Sequence, residues 1–266
     1  MTSGKMIFAG IDIGSLSTDV VLLDRQGEIA GAAVVPTGAS TMKACEEAIS
    51  RALAEAGAPP SAVVFTVSTG YGRERAASAD LKITEITCHA RGARHLFPEA
   101  RTVLDIGGQD SKVIRLTPDG KVADFAMNDK CAAGTGRFLE VMARTLELDL
   151  EEMGPRSLRS RRTVPVSSMC TVFAESEVIS LIASGTPPED IARGIHLAIA
   201  DRIAALADKV GMVAPAVMTG GVAKNPGARD ALEAKFGFSL LIPGEPQLAG
   251  ALGAALIARE KSQDHH

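Results

Sequence analysis

The order strand, Asp-Ile-Gly turn, strand, hairpin, strand occurs twice in this chain and limits the possible folds more than any other feature. The first copy opens with an apolar strand at residues 6–13, and its turn occupies residues 12–19. The second copy opens at residues 102–106, and its turn occupies residues 105–112. Neither copy places a helix between its strands, which argues against the βαβ units of Rossmann and Walker sites. The repeat predicts two similar lobes in an α/β fold.

Length and composition agree with two lobes and exclude several classes of protein. The 266 residues divide at the second repeat into predicted lobes at residues 1–100 and 101–266. Apolar residues make up 46% of the chain, which has no Trp, so the core is built from aliphatic side chains. A net charge of −4 argues against a nucleic-acid-binding face. No apolar run approaches the roughly 18 residues of a membrane span, and residues 1–5 lack the apolar region of a signal peptide, so we expect a soluble, cytoplasmic protein.

Both Asp-Ile-Gly turns carry groups that bind phosphate and magnesium. Backbone N–H groups and hydroxyls at such a tip can donate to phosphate oxygens, and Asp12 or Asp105 can hold Mg²⁺ directly or through water. We expect the two turns to face each other across a cleft and clamp a triphosphate, with Gln109 or Asp110 orienting the attacking water. The predicted phosphate-binding residues are Gly14, Ser15, Leu16, Ser17, Thr18 and Asp19 of the first turn and Gly107, Gly108 and Gln109 of the second.

A cysteine precedes a glycine-rich loop at residues 128–138, just before a predicted helix. Gly134 and Gly136 allow a backbone to pack closely or an anion to bind. Free N–H groups at the start of the helix would favour a thiolate at Cys131, which is the form that binds metals. The alternative is a buried thiol beside a glycine turn, since free cysteine is among the most buried residue types.

The other three cysteines differ in their predicted positions. Cys170 stands directly before a predicted helix, as Cys131 does, whereas Cys45 lies on the apolar face of the first predicted helix and is assigned to the core. Cys88 and His89 follow a short strand predicted at residues 83–87. A Cys-His pair can serve nucleophilic catalysis, but adjacent side chains diverge and no third orienting group is evident. Both are therefore predicted to be buried and structural.

Two glycines follow the last predicted strand, at residues 216–219. They would let a flat ring approach the backbone, as an adenosine site requires, and the alternative is a simple tight turn. The closing helix begins near residue 246 with small side chains that permit tight packing beside this loop. The predicted adenosine-binding residues are Thr219, Gly220, Gly221, Asn225 and Gln247.

Taken together, the two Asp-Ile-Gly hairpins, the Gly-Gly loop and the small-residue closing helix resemble the acetate and sugar kinase, heat-shock chaperone and actin superfamily. The cysteine motifs narrow the resemblance to the ATP-dependent activators of 2-hydroxyacyl-CoA dehydratases, which are relatives of the nucleotide-binding subunits of benzoyl-CoA reductases. One departure is Asp19, where such activators often have lysine. The motifs that carry the resemblance lie at residues 69–73, 105–112, 128–138, 167–180 and 218–225.

This resemblance implies two ribonuclease-H-like lobes around a nucleotide cleft, and a protein of anaerobic metabolism. It implies a homodimer in which Cys131 and Cys170 of each subunit hold one [4Fe-4S] cluster on the two-fold axis. A cluster of this type takes four thiolates, and a symmetric dimer with two suitable cysteines per chain supplies four. The implied activity is transfer of one electron from a reduced ferredoxin or flavodoxin to a dehydratase, coupled to hydrolysis of Mg·ATP.

Four alternatives stay open from the sequence. One chain could bind a cluster with all four of its cysteines, which would require Cys45 to leave a packed helix face. A small-molecule kinase of the same fold would use Asp105 as a base toward a sugar or pantothenate hydroxyl. A benzoyl-CoA reductase ATPase subunit would share the motifs. A non-enzymatic nucleotide switch would keep its cysteines for structure alone.

Overall fold

The computed structural model describes residues 5–76, 78–167 and 170–263 and divides the chain into two compact units. Two residues of the 167–180 motif, Ser168 and Met169, lie outside the described residues. The first unit comprises Met1–Ala100, Leu116–Val122 and Pro243–His266, and the second comprises Arg101–Arg115 and Ala123–Ile242.

A mixed five-stranded sheet forms the centre of the first unit, in the order β3-β2-β1-β4-β5. Strand β1 pairs antiparallel with β2 and parallel with β4. Every residue of β1 is buried, as expected of a continuous apolar strand in the middle of a sheet. The strands are β1 (Ile7–Ile13), β2 (Ser17–Leu23), β3 (Ile29–Pro36), β4 (Val63–Thr69) and β5 (Leu81–Lys82).

Helix α1 (Thr41–Ala56) is the first predicted helix, and it buries the apolar face that carries Cys45. It begins after Ser40, whose side chain accepts the N–H of Lys43, and ends at Gly57, which has a left-handed φ of 55°. Cys45 is buried against the first sheet, so its assignment to the core is confirmed.

Helix α2 (Glu85–Leu96) begins earlier than predicted. The strand predicted at residues 83–87 is wrong, because β5 ends at Lys82 and Thr84 caps α2 by accepting the N–H of Thr87. Of the two isoleucines in this stretch, Ile83 precedes the cap and Ile86 is buried in the first turn of the helix. The cap was the signal that the sequence analysis missed.

The closing helix, α8 (Ala249–Gln263), packs tightly against α2 within the first unit. A Cβ atom at Gly253 would collide with the carbonyl oxygen of Cys88, and one at Gly92 would collide with that of Ala249. The small residues of α8 therefore allow two helix backbones to approach each other closely.

The second unit contains a four-stranded sheet in the order β8-β7-β6-β9, with β6 antiparallel to β7 and parallel to β9. Its core forms where helices cover this sheet, around Phe138, Met142 and Ile195. The strands are β6 (Thr102–Ile106), β7 (Ser111–Leu116), β8 (Val122–Asn128) and β9 (Ala216–Thr219). The helices are α3 (Gly136–Thr145), α4 (Leu150–Ser157), α5 (Thr171–Ala183), α6 (Pro188–Val210) and α7 (Pro226–Phe236).

The two Asp-Ile-Gly hairpins have the same register. Ile13 pairs with Thr18 in the first hairpin, and Ile106 pairs with Ser111 in the second, so each turn encloses the same number of residues. Strand β2 begins at Ser17, earlier than the sequence predicts, and part of the predicted phosphate turn is therefore strand. The internal repeat is confirmed at the level of individual pairs.

Candidate functional site

Asp12 is the last but one residue of β1 and is buried, with 7% of the residue exposed. Its Oδ2 atom lies 3.4 Å from Nε2 of His89, which is on α2 and is also buried. Asp19 pairs directly with Asp12 across the hairpin, and the Ser17 hydroxyl donates to Oδ2 of Asp19 at 3.2 Å. The structure thus brings together two predicted site residues, Asp12 and Asp19, and adds His89, which the sequence analysis had treated as structural.

The tip of the first turn is held by its own backbone. The N–H of Gly14 donates to the carbonyl of Ser17 at 2.9 Å, while Ser15 and Leu16 are exposed at the tip. The Thr18 hydroxyl is buried and shares a 3.0 Å hydrogen bond with the Thr37 hydroxyl. Among the predicted phosphate-binding hydroxyls, those of Ser15 and Ser17 are therefore the more accessible.

Asp105 occupies the equivalent position in the second turn and is tied to two neighbours. Its Oδ2 lies 3.1 Å from Nζ of Lys112, and its Oδ1 accepts the Thr219 hydroxyl at 2.8 Å. The Lys112 ammonium also pairs with Asp110 at 2.9 Å, and Lys112 is only 2% exposed. The sequence analysis gave Lys112 no role. Its place opposite Asp105 in a repeated hairpin was the signal that could have identified it.

The two candidates for orienting water differ in exposure and in partners. Gln109 is exposed, whereas the Asp110 carboxylate is partly buried and pairs with Lys112. The N–H of Gly107 donates to the carbonyl of Asp110 at 3.0 Å and closes the turn. This arrangement favours Gln109 as the side chain that can reach a bound water.

The start of α3 is bonded directly to the second turn. The N–H of Gly136 donates to the carbonyl of Gly107 at 2.9 Å, and the N–H of Arg137 donates to that of Gly108 at 2.8 Å. A Cβ atom at position 136 would lie 3.2 Å from the Gly107 oxygen, so glycine permits this approach. The expectation of free N–H groups beside Cys131 is wrong at these two positions, because the turn carbonyls occupy them.

The loop that carries Cys131 is fixed by side chains at both of its ends. The Asn128 amide donates to the carbonyls of Cys131 at 2.7 Å and Ala133 at 3.2 Å. Gly134 has a φ of +88°, which favours glycine. Thr135 is the N-cap of α3, so Cys131 lies ahead of the helix and does not cap it.

The cysteines fall into two classes that match the two units. Cys131 and Cys170, in the second unit, are partly exposed, and Cys170 is the N-cap residue of α5. Cys45 and Cys88, in the first unit, are buried. Burial raises the pKa of the Cys88 thiol to about 12 and also raises that of Cys45. The donor set of one chain thus fits half of a four-thiolate cluster.

Most of the predicted adenosine-binding residues lie at the end of β9 or in the turn after it, and several of them shape the backbone there. Gly220 has a φ of +82°, and a Cβ atom there would collide with the carbonyl oxygen of Ile106. Asn225 caps α7 by accepting the N–H groups of Gly227 and Ala228. Gly221 is exposed next to Gly220, and the partly buried Gln247 lies in the first unit, in the short turn before α8.

No group of three or more His, Cys, Asp or Glu side chains within residues 5–76, 78–167 and 170–263 converges as a metal site. Among the helices of those same residues, none has both the length and the apolar character needed to cross a membrane.

Sequence comparison identifies close relatives across nearly the whole chain. Residues 9–258 match the BadF/BadG/BcrA/BcrD ATPase family. The chain is 47% identical over 258 residues to an activator of lactoyl-CoA dehydratase from Anaerotignum propionicum, covering 97% of this chain and 99% of that protein.

Comparison with solved structures confirms the predicted fold. The activator of the 2-hydroxyisocaproyl-CoA dehydratase from Clostridium difficile, solved with bound ADPNP, is 42% identical, with a TM-score of 0.93 over 98% of this chain and 97% of that chain. A ROK family glucokinase from Streptomyces griseus, solved with glucose and AMPPNP, shares the fold alone, with 16% identity and a TM-score of 0.58 over 96% of this chain and 99% of that one. The chain has the predicted sugar-kinase-like and actin-like α/β fold, and it belongs to the BadF/BadG/BcrA/BcrD ATPase family.

Proposed function

We propose that this protein is an ATP-hydrolysing activator that transfers one low-potential electron to a 2-hydroxyacyl-CoA dehydratase. In this proposal two copies of the chain form a homodimer that holds one [4Fe-4S] cluster, and a reduced ferredoxin or flavodoxin supplies the electron. The relatives from A. propionicum and C. difficile are both named as dehydratase activators. Identity above 40% along nearly the full chain supports the same class of partner for this protein.

The nucleotide-binding part of the proposal assigns different roles to the two aspartates. Asp12 would hold Mg²⁺, since carboxylate oxygens are the ligands that this ion prefers. Asp105 already contacts Lys112 and Thr219, so it would act on the metal through water while it orders the second turn. Gln109 would orient the attacking water. The ADPNP in the C. difficile structure supports a nucleoside triphosphate as the ligand.

Cys131 and Cys170 would hold the cluster, which supplies one-electron transfer when bound. Both thiols are partly exposed and lie in the same unit, whereas Cys45 and Cys88 are packed in the core of the other unit. A cluster made within one chain would require those two core thiols to leave their packing. A second copy of the chain supplies the missing thiolates without that cost.

Two backbone hydrogen bonds support the proposed coupling of nucleotide hydrolysis to electron transfer. The N–H groups of Gly136 and Arg137 are bonded to the carbonyls of Gly107 and Gly108, so the second phosphate turn and the start of α3 form one hydrogen-bonded unit. A shift of this turn on hydrolysis would move the loop that carries Cys131. A nucleotide can drive such a change only through its different affinities for the two arrangements.

The test is anaerobic purification followed by iron, sulfide and mass measurements. We expect a brown dimer with one [4Fe-4S] cluster per two chains, and Mg·ATP hydrolysis that does not require an acceptor hydroxyl. Cys131→Ser and Cys170→Ser should each lose the cluster and remain folded, while the matched control Cys45→Ser should keep it. A colourless protein that phosphorylates a sugar or pantothenate would support a kinase instead.

Coupling is tested on the same preparation. Iron release to a chelator and the electron-paramagnetic spectrum are measured without nucleotide, with Mg·ADP and with a slowly hydrolysed ATP analogue. We expect the three states to differ, and we expect Gly134→Ala, which strains a position with a φ of +88°, to reduce the difference. Identical release rates and spectra at saturating nucleotide would contradict the coupling. Activation of a purified 2-hydroxyacyl-CoA dehydratase, compared with a benzoyl-CoA reductase core, distinguishes the two classes of partner.

A further inference from the structure

Three motifs that are far apart in the sequence converge on Asp12 within the first unit. They are the glycine loop after β4, the Cys-His junction on α2 and the start of the small-residue helix α8. We infer that His89 positions the Asp12 carboxylate for Mg²⁺, in a slot that Gly70 and Gly250 keep open. This inference rests on the proposed function, in which Asp12 holds the metal.

His89 and Asp12 are in direct contact in a buried place. Nε2 of His89 lies 3.4 Å from Oδ2 of Asp12, and only 7% and 10% of the two side chains are exposed. A carboxylate oxygen can only accept, so this contact is attractive when Nε2 carries the proton. In a buried place such a contact limits the rotation of the carboxylate, because few water molecules compete for it.

Two glycines, Gly70 and Gly250, border the Asp12 carboxylate. A Cβ atom at Gly250 would collide with Oδ2 of Asp12 and would lie 2.9 Å from Nε2 of His89. A Cβ atom at Gly70 would collide with Oδ1 of Asp12, and Gly70 has a φ of +84°. Each carboxylate oxygen is therefore bordered by a position that any larger residue would fill. The slot fixes where the carboxylate can lie, and His89 fixes its orientation.

The backbone around Asp12 makes the slot rigid. The N–H of Gly72 donates to the carbonyl of Ile13 at 2.9 Å, which ties the glycine loop to the first phosphate turn. The guanidinium of Arg73 donates to the carbonyl of Gly70 at 3.1 Å, and the Ser68 hydroxyl donates to the carbonyl of Arg73. These bonds hold Gly70 in its left-handed conformation beside Asp12.

A pre-oriented carboxylate binds a metal more tightly because less freedom is lost on binding. Partners that orient metal ligands in this way typically change metal affinity by about 10–100-fold when they are removed. We therefore expect His89 to act on the Mg²⁺ requirement of nucleotide binding. It should have little effect on nucleotide affinity measured without metal.

The experiment measures binding of a fluorescent ATP analogue to the full-length protein as Mg²⁺ is added, and again in excess chelator. His89→Leu should raise the half-saturating Mg²⁺ concentration about 10-fold or more. The affinity for the ATP analogue in excess chelator should be unchanged. His89→Gln, which can again present an N–H to Asp12, should recover most of the loss. His95→Leu is the matched control, since His95 is on the same helix but is exposed. It should behave as wild type.

Further variants separate this inference from the function on which it rests. Asp12→Asn should raise the Mg²⁺ requirement as His89→Leu does, and the double variant should add little to either single change. Two outcomes would overturn the positioning role and leave the proposed function intact. In the first, Asp12→Asn raises the Mg²⁺ requirement and His89→Leu does not. In the second, His89→Gln raises the Mg²⁺ requirement as much as His89→Leu does. No effect of Asp12→Asn would overturn both the positioning role of His89 and the Mg²⁺ role that the proposed function gives to Asp12.

Gly250→Ala tests the slot without changing a polar group. It should raise the Mg²⁺ requirement, whereas Gly244→Ala, where nothing lies within 4 Å of the added atom, should not. Iron content serves as an internal control, because Cys131 and Cys170 belong to the other unit and should keep the cluster in every variant. If His89→Leu lowered the melting temperature but left the Mg²⁺ requirement unchanged, His89 would have a merely structural role, and the inference would be contradicted.

Discussion

Lys112 places its ammonium nitrogen 3.1 Å from the carboxylate of Asp105, across the β6–β7 hairpin. The same register position in the first hairpin holds Asp19, opposite Asp12. The repeated turns therefore share a backbone but differ in the sign of one charge. The buried lysine at this register is therefore in the second turn. We expect the two turns to respond differently to substitution.

Removing the Lys112 ammonium should strongly destabilise the second unit. Lys112 is 2% exposed and contacts both Asp105 and Asp110, so Lys112→Met leaves carboxylates without their cation. Breaking a buried pair in this way costs about 3–5 kcal/mol. Urea unfolding followed by circular dichroism measures the loss, and Asp105→Asn in the Lys112→Met background should recover part of it.

The exposed pair Lys121 and Asp119 provides the control for that experiment. Its separation is 3.0 Å, close to that of the buried pair, but its side chains are 82% and 58% exposed. Lys121→Met should leave the unfolding curve unchanged, since water already screens both charges. Equal losses in the two lysine variants would show that burial does not determine the effect.

The stability of the second unit should fall in mildly acidic solution because of His196. Burial, with a smaller contribution from nearby Arg193, lowers the pKa of His196 to about 4 despite opposing contributions from Ala192, Asn225 and Asp230. Below its ordinary pKa of 6.5 the unfolded chain binds a proton that the folded chain does not. The free energy of unfolding then falls as the pH drops from 6.5 toward 4 and levels off below.

The variant His196→Asn isolates this contribution. Nδ1 of His196 donates to the carbonyl of Ala192 at 2.8 Å, and the Asn amide can keep that bond. Between pH 7 and pH 4.5 the wild type should lose about 2 kcal/mol more stability than the variant, as the shift in pKa requires. Urea unfolding at several pH values measures this, with exposed His95→Asn as the control. Parallel curves for wild type and His196→Asn would contradict the assignment.

Thiol labelling should divide the cysteines of the cluster-free protein into two pairs. Cys131 and Cys170 are partly exposed and should react rapidly with iodoacetamide at pH 8. Cys45 and Cys88 should react only on unfolding, because burial shields them and raises the pKa of both thiols. Mass spectrometry of digested protein identifies the labelled sites. Rapid labelling of Cys88 in the folded state would be inconsistent with its packing against α8.

A single added methyl group at Gly253 should destabilise the first unit, although alanine favours helices more than glycine does. The new Cβ atom would collide with the Cys88 carbonyl on α2, so the helices must separate. Overpacking of this kind costs about 1–3 kcal/mol. Thermal unfolding measures the loss. Gly244→Ala, where the added atom meets nothing within 4 Å, should be neutral or slightly stabilising.

Local sequence features were sufficient to predict much of the secondary structure. Strands β6 and β9 have the predicted bounds, because short apolar runs and the glycines that follow them act over a few residues. The error at residues 83–87 arose because this short run, which is rich in β-branched residues, contains the helix cap Thr84. Such runs are ambiguous between strand and helix when their tertiary neighbours are unknown.

Residue type and spacing along the chain were enough to predict the duplicated hairpins, the family and the difference between the cysteines. The distant residues that share an environment became known only from the folded chain. His89 meets Asp12, Lys112 neutralises Asp105, and the start of α3 is bonded to the second turn. These contacts depend on how helices pack on a sheet, and that packing sums many weak interactions between residues far apart in the chain. No local pattern encodes such a sum.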